Sequence, residues 1–181
     1  MQANWRFCFL LALVFVFGAR AQVGILKVDP ALNHIVPPAA TIEKLAGGFT
    51  FTEGPVWTHE GYLLFSDIPN NVIQKWMPDG KVAVFREPSG YDGTDAPPGA
   101  FIGSNGLTLD KQGRLVICEH GNGRVTRLEK DGKVTVLAAR YEGKRLNSPN
   151  DAVYKSDGAL YFTDPPYGLV KQDEDPRKEL K

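Results

Sequence analysis

The chain has 181 residues, 43% of them hydrophobic, and its 21 basic and 21 acidic side chains balance to a formal net charge of zero. That length suits one domain and that composition an ordinary globular protein. A balanced charge excludes a general electrostatic attraction to nucleic acid or to anionic membrane, and no basic arm or acidic tail is visible.

In chain order, the first segment reads as an export signal. Arg6 precedes the apolar run Phe7–Gly18, and Ala19-Arg20-Ala21 fits a small-x-small cleavage pattern. A membrane span needs about 20 apolar residues, more than this run offers. Residues 1–21 are therefore expected to be a cleaved signal, with the mature protein secreted or periplasmic and not held in the membrane. Cys8 would leave with the signal, so Cys118 remains alone and no internal disulfide is expected. Cys118 sits in the apolar run Leu115–Cys118 and reads as a buried bystander.

Residues 22–47 are rich in Pro and Ala, without sustained period, and predict an extended arm. From Gly48 onward, short β-branched and aromatic runs alternate with Gly, Asp-Gly and Pro turns, which predicts an all-β fold over 48–181. The chain also repeats itself. Glu53, Asn105 and Asn150 each begin a copy, with a glycine eight residues on (Gly61, Gly113, Gly158) and an acid fourteen on (Asp67, Glu119, Asp164). The first two copies also share Asp79-Gly80-Lys81 and Asp131-Gly132-Lys133.

Each copy predicts a four-stranded antiparallel blade. The first strands are 55–57, 107–109 and 152–154; the second strands are 62–66, 114–118 and 159–163. Third strands follow at 72–77 and 124–129, and fourth strands at 82–85 and 134–138. Starts 52 and 45 residues apart, with four strands per unit, point to a β-propeller. The chain holds about two and a half such blades, so it is expected to be the N-terminal part of a longer ring.

In a propeller the first strand of each blade lines the axis. Glu53, Asn105 and Asn150 would then converge, and three oxygen donors at matching positions suit a hard divalent cation better than chance turn formation. Asp67, Glu119-His120 and Asp164 are carried to the surrounding rim, where the acids are expected to hydrogen-bond loops of neighbouring blades. His120 is a weak candidate for proton relay, since imidazole titrates near neutrality. Tyr167, beside Pro165-Pro166, is placed on a rigid loop over the axial face. His34 and His59 read as solvent-facing.

The motifs FTEGPVW (51–57), SNGLTLD (104–110), VICEHGNGRVTR (116–127), YEGKRLNSPNDAV (141–153) and YFTDPPYGL (161–169) resemble those of the gluconolactonase/regucalcin family. The resemblance covers about residues 45–170. It implies a six-bladed propeller, a divalent metal at the axis (Ca²⁺ first, with Mg²⁺, Mn²⁺ or Zn²⁺ as alternatives) and hydrolysis of sugar lactones such as glucono-1,5-lactone. It further implies that Glu53 binds the metal and that Asn150 serves the metal and substrate shell. Asn105, His120 and Tyr167 would contact substrate, and a general-base aspartate is expected beyond residue 181. On that reading the 181 residues alone are inactive. The alternatives are a non-catalytic ligand-binding propeller and a related enzyme of other chemistry, such as a phosphotriesterase or a strictosidine-synthase-like enzyme.

Overall fold

A computed structural model of the chain describes residues 24–181. The expected signal, residues 1–21, lies outside these, and no helix among the described residues is long and apolar enough to cross a membrane. The chain divides into two compact units at Lys44/Leu45. In the first, the described residues form a short arm with one turn of 3-10 helix, Pro30–His34. Proline presets φ at the start of that turn, and the Asp29 carboxylate accepts the Ala31 N–H at 2.7 Å to cap it. Sequence periodicity had suggested no element there.

The second unit is all-β. Its first sheet is β1 (Thr52–Trp57), β2 (Leu63–Asp67), β3 (Val72–Trp76) and β4 (Val82–Arg86), in that order. The second is β5 (Ser104–Leu109), β6 (Leu115–Glu119), β7 (Arg124–Leu128) and β8 (Val134–Ala138), again in order. A small hairpin, β9 (Arg140–Tyr141) and β10 (Lys144–Arg145), leads to the pair β11 (Ala152–Tyr154) and β12 (Leu160–Phe162). All pairings are antiparallel, and the repeat sets the register: Trp57 faces Leu63, Leu109 faces Leu115, and Tyr154 faces Leu160. Gly61, Gly113 and Gly158 close these hairpins at φ of 85°, 73° and 94°.

One boundary differs from expectation. β1 starts at Thr52 and not at Pro55, because a bulge between Glu53 and Val56 admits a proline that has no N–H to give the ladder. β5 bulges at the matching place, between Ser104 and Leu107. Glu53 and Asn105 therefore sit inside strands, at the bulges, and not ahead of them.

The sheets pack face to face through alternate residues, as the two-residue period of a strand requires. Leu64 and Ile73 of the first sheet meet Leu107, Leu115 and Ile117 of the second. The opposite face of the second sheet, with Val116, Cys118 and Val125, packs against Ala152, Tyr154, Leu160 and Phe162. β6 thus buries both faces, each large side chain contributing about 1.5–3 kcal/mol of transfer free energy. Burial pushes the Cys118 thiol up to about 12, with nearby carboxylates adding to the shift, so it is inert as the sequence suggested. The far face of the first sheet leaves Trp57 and Val84 exposed, and that of β11–β12 leaves Val153 and Tyr161 exposed.

Candidate functional site

Two glycines bring the leading strands of the three copies side by side. A Cβ on Gly54 would lie 2.1 Å from the Asn105 carbonyl oxygen, and one on Gly106 would lie 2.6 Å from that of Asn150. The Gly106 N–H donates to the same Asn150 carbonyl at 2.6 Å. Ser66 Oγ donates to the Asn105 carbonyl at 2.7 Å and shares a second hydrogen bond with Ser104 Oγ, all of it buried. The backbones at Glu53, Asn105 and Asn150 therefore adjoin in sequence order, as the repeat predicted.

Their side chains differ in commitment. Glu53 is exposed and accepts no hydrogen bond among the described residues. It borders a recess of about 290 Å³ on the far face of the first sheet, with Phe49, Pro55, Phe65 and Trp76. Asn150 is half-buried; its backbone N–H donates to the Thr163 carbonyl at 2.8 Å, while its carboxamide has no partner among the described residues. Asn105 is buried, and its Nδ2 lies 3.1 Å from His120 Nε2.

His120 does not lie on a rim. It is 1% exposed, its Nδ1 lies 3.2 Å from the Phe101 carbonyl, and burial pushes its pKa down to about 4. The proton-relay expectation assumed a pKa near neutrality; the ring is instead neutral and enclosed, held between a loop carbonyl and Asn105. Tyr167 is exposed on its loop, and its side chain makes no hydrogen bond among the described residues. With Pro97, Pro98, Phe101 and Leu169 it lines an open cleft of about 230 Å³. The next residue, Gly168, lies so close to His120 that a Cβ there would be 2.5 Å from the histidine Cβ. His34 and His59 are exposed, as expected.

The acids fourteen residues into each copy are structural, but they brace their own repeats and not neighbouring blades. Asp67 accepts from the N–H groups of Thr50 and Phe51 at 3.2 and 3.1 Å and from Asn70 Nδ2 at 2.7 Å. Glu119 is satisfied by Asn122, Arg124 and Thr126, each at 2.6 Å. Asp164 accepts the Asn147 N–H at 2.7 Å, and its burial raises its pKa. Asp67 and Glu119 are so engaged that they are poor candidates for proton transfer or metal binding, whereas Asp164 Oδ1 is buried without a partner among the described residues.

Two features escaped the sequence reading. The connection between the sheets, residues 87–103, is pinned by Asn71, whose Oδ1 accepts from Ser89, Gly90 and Tyr91 N–H groups at 3.1, 2.9 and 3.2 Å. That connection supplies the Phe101 carbonyl that holds His120. Asp151 occupies the position where the other copies carry Gly54 and Gly106; its Oδ1 would be 2.8 Å from a Cβ on Gly106. Comparing the residue after each copy's start would have found it.

No group of three or more His, Cys, Asp or Glu able to hold a metal occurs among the described residues. The uncommitted donors at the adjoining strands are oxygens: the Glu53 carboxylate and the Asn150 carboxamide. The thiol of Cys118 is sealed in the core and both nitrogens of His120 are engaged. Such a set fits a hard cation and not a thiolate- or imidazole-bound one.

A family model described as "SMP-30/Gluconolactonase/LRE-like region" matches residues 51–178. The chain is 40% identical over 160 residues to a gluconolactonase of Zymomonas mobilis, covering 86% of this chain and 45% of the relative. Among solved structures it is similar to a gluconolactonase of Xanthomonas campestris, at 42% identity and a TM-score of 0.59, covering 70% of this chain and 39% of that one. A putative gluconolactonase is similar at 37% identity and a TM-score of 0.66, covering 80% and 46%. Virginiamycin B lyase of Staphylococcus aureus shares the fold alone, at 19% identity and a TM-score of 0.50, covering 72% and 41%. The chain spans less than half the length of each of these relatives.

Proposed function

The chain belongs to the SMP-30/gluconolactonase/LRE-like family, and from that premise we propose that the protein it forms part of hydrolyses sugar lactones of the glucono-1,5-lactone type to aldonic acids. The observation that carries this reading is the adjacency of Glu53, Asn105 and Asn150 on successive leading strands, with the first and last side chains uncommitted. We further propose a six-bladed propeller. The exposed Trp57 and Val84 face and the exposed Val153 and Tyr161 face are apolar surfaces of the kind that adjoining blades cover.

Glu53 and Asn150 would hold a divalent cation, Ca²⁺ by the hardness of the donors, and Asn105 would orient the substrate. The cation supplies Lewis acidity toward the lactone carbonyl. Water adds to the carbonyl carbon, the ring C–O bond breaks, and the ring oxygen leaves as a hydroxyl after taking up a proton. Glu53 is spent on the cation in this scheme, and the residue that accepts the water proton is expected outside these 181 residues. Ca²⁺ takes six to eight oxygens, more than Glu53 and Asn150 offer, so the 181 residues alone should be inactive. Residues 1–21 are proposed to direct export.

The test is hydrolysis of glucono-1,5-lactone by the complete protein, before and after chelation. A rate above spontaneous hydrolysis, abolished by chelator and restored by added Ca²⁺, is expected. No rate above background would refute the lactonase reading, and a rate indifferent to chelator would refute the metal.

A further inference from the structure

We propose that His120 is a positioning residue that fixes which atom of the Asn105 carboxamide faces the ligand. This rests on the reading above that Asn105 orients a bound substrate. The geometry runs along one line of contacts. The Phe101 carbonyl can only accept, so the hydrogen bond at 3.2 Å requires a proton on His120 Nδ1. With Nδ1 protonated, a neutral ring leaves Nε2 as a bare acceptor, and the partner at 3.1 Å must donate: it is Asn105 Nδ2. Asn105 Oδ1 is then the carboxamide atom left uncommitted, and it takes no hydrogen bond among the described residues.

The opposite orientation is the one to exclude. Turning the carboxamide so that Oδ1 faces Nε2 needs a proton on Nε2. With a neutral ring, that would set the bare Nδ1 against the Phe101 carbonyl, two acceptors 3.2 Å apart. A doubly protonated ring would satisfy both contacts, but it places a cation in a site 1% exposed, and burial holds the ring well below its ordinary pKa.

The surroundings keep the imidazole from turning. Gly168 packs on the His120 Cβ, and the His120 backbone N–H donates to the Gly103 carbonyl at 3.2 Å, just ahead of β5. The Nδ1 contact reaches residues 87–103, which Asn71 anchors to the first sheet. A loop carbonyl thus sets a tautomer, and the tautomer sets an amide. No spacing rule links these three residues.

Two measurements on the complete protein test this. In the first, ¹⁵N-labelled histidine is observed by long-range ¹H–¹⁵N correlation at neutral pH. His120 should carry its proton on Nδ1 with Nε2 bare; an Nε2–H tautomer or a charged ring would overturn the proposal. That readout needs no substrate, so it stands whether or not the protein hydrolyses lactones. The second compares H120Q with H120N. Glutamine reaches the Nε2 position with an oxygen that can accept from Asn105, whereas asparagine reaches only the Nδ1 position and keeps the Phe101 contact alone. H120N should lose on the order of 10- to 100-fold in kcat/KM, the scale of a misplaced contact group, and H120Q should recover most of it. Equal losses in both variants, with wild-type unfolding midpoints, would show that the Asn105 contact does not matter.

Discussion

Glu53→Gln is expected to lower the proposed lactone hydrolysis by the complete protein on the order of 100-fold or more and to leave its metal-free unfolding midpoint where it was. The two halves of this expectation have different origins. Glu53 is exposed, bonded to nothing among the described residues, and sits in a bulge that its backbone alone maintains. Glutamine has the same shape, so the stability change should fall within about 0.5 kcal/mol. Function is another matter. The carboxylate is a charge with no hydrogen-bond partner among the described residues, at the adjoining strand starts where a cation is proposed, and even residues one shell behind a metal ligand cost about 10–100-fold when changed. Titration of the variant with Ca²⁺ should show weakened binding alongside the lost rate. An unchanged rate would remove Glu53 from the site.

Gly54→Ala should be the most damaging small substitution in the first sheet, at about 3 kcal/mol in denaturant unfolding. Two costs add. Gly54 has φ of 55°, a left-handed conformation that costs an L residue about 1–2 kcal/mol. Its new methyl would also lie 2.1 Å from the Asn105 carbonyl, a backbone atom that moves only with its strand, and overpacking of this kind costs about 1–3 kcal/mol. Gly61→Ala separates the two. Its φ is 85° but nothing lies within 4 Å of the added carbon, so only the first cost applies. Gly54→Ala should therefore fall clearly below Gly61→Ala in midpoint, and equal losses would mean that the strands at Glu53 and Asn105 do not press together. Because the methyl drives those two residues apart, hydrolysis should fall as well.

Much of this was legible because the repeat encodes register. A glycine eight residues after each start fixes the hairpin, and Trp57–Leu63, Leu109–Leu115 and Tyr154–Leu160 then pair without further information. The bulges were not legible, since Pro55 reads as a strand breaker until the extra residue is seen to excuse its missing N–H. His120 was misplaced for a different reason. Its position near a strand end suggested a wet rim, but its burial comes from residues 87–103 and from Gly168, both remote in sequence and without periodic signal. The acids at Asp67, Glu119 and Asp164 were rightly read as bracing groups, while their partners were not, because a loop folds back on its own strand more readily than spacing alone reveals.

The central claim is that Glu53 and Asn150, from strands two copies apart, hold one cation between them. Crystals of the complete protein soaked in Mn²⁺ test it most directly through anomalous scattering. One peak within about 2.0–2.6 Å of both a Glu53 carboxylate oxygen and Asn150 Oδ1 is the result predicted here. A peak that touches neither residue, or none at saturating Mn²⁺, would contradict it.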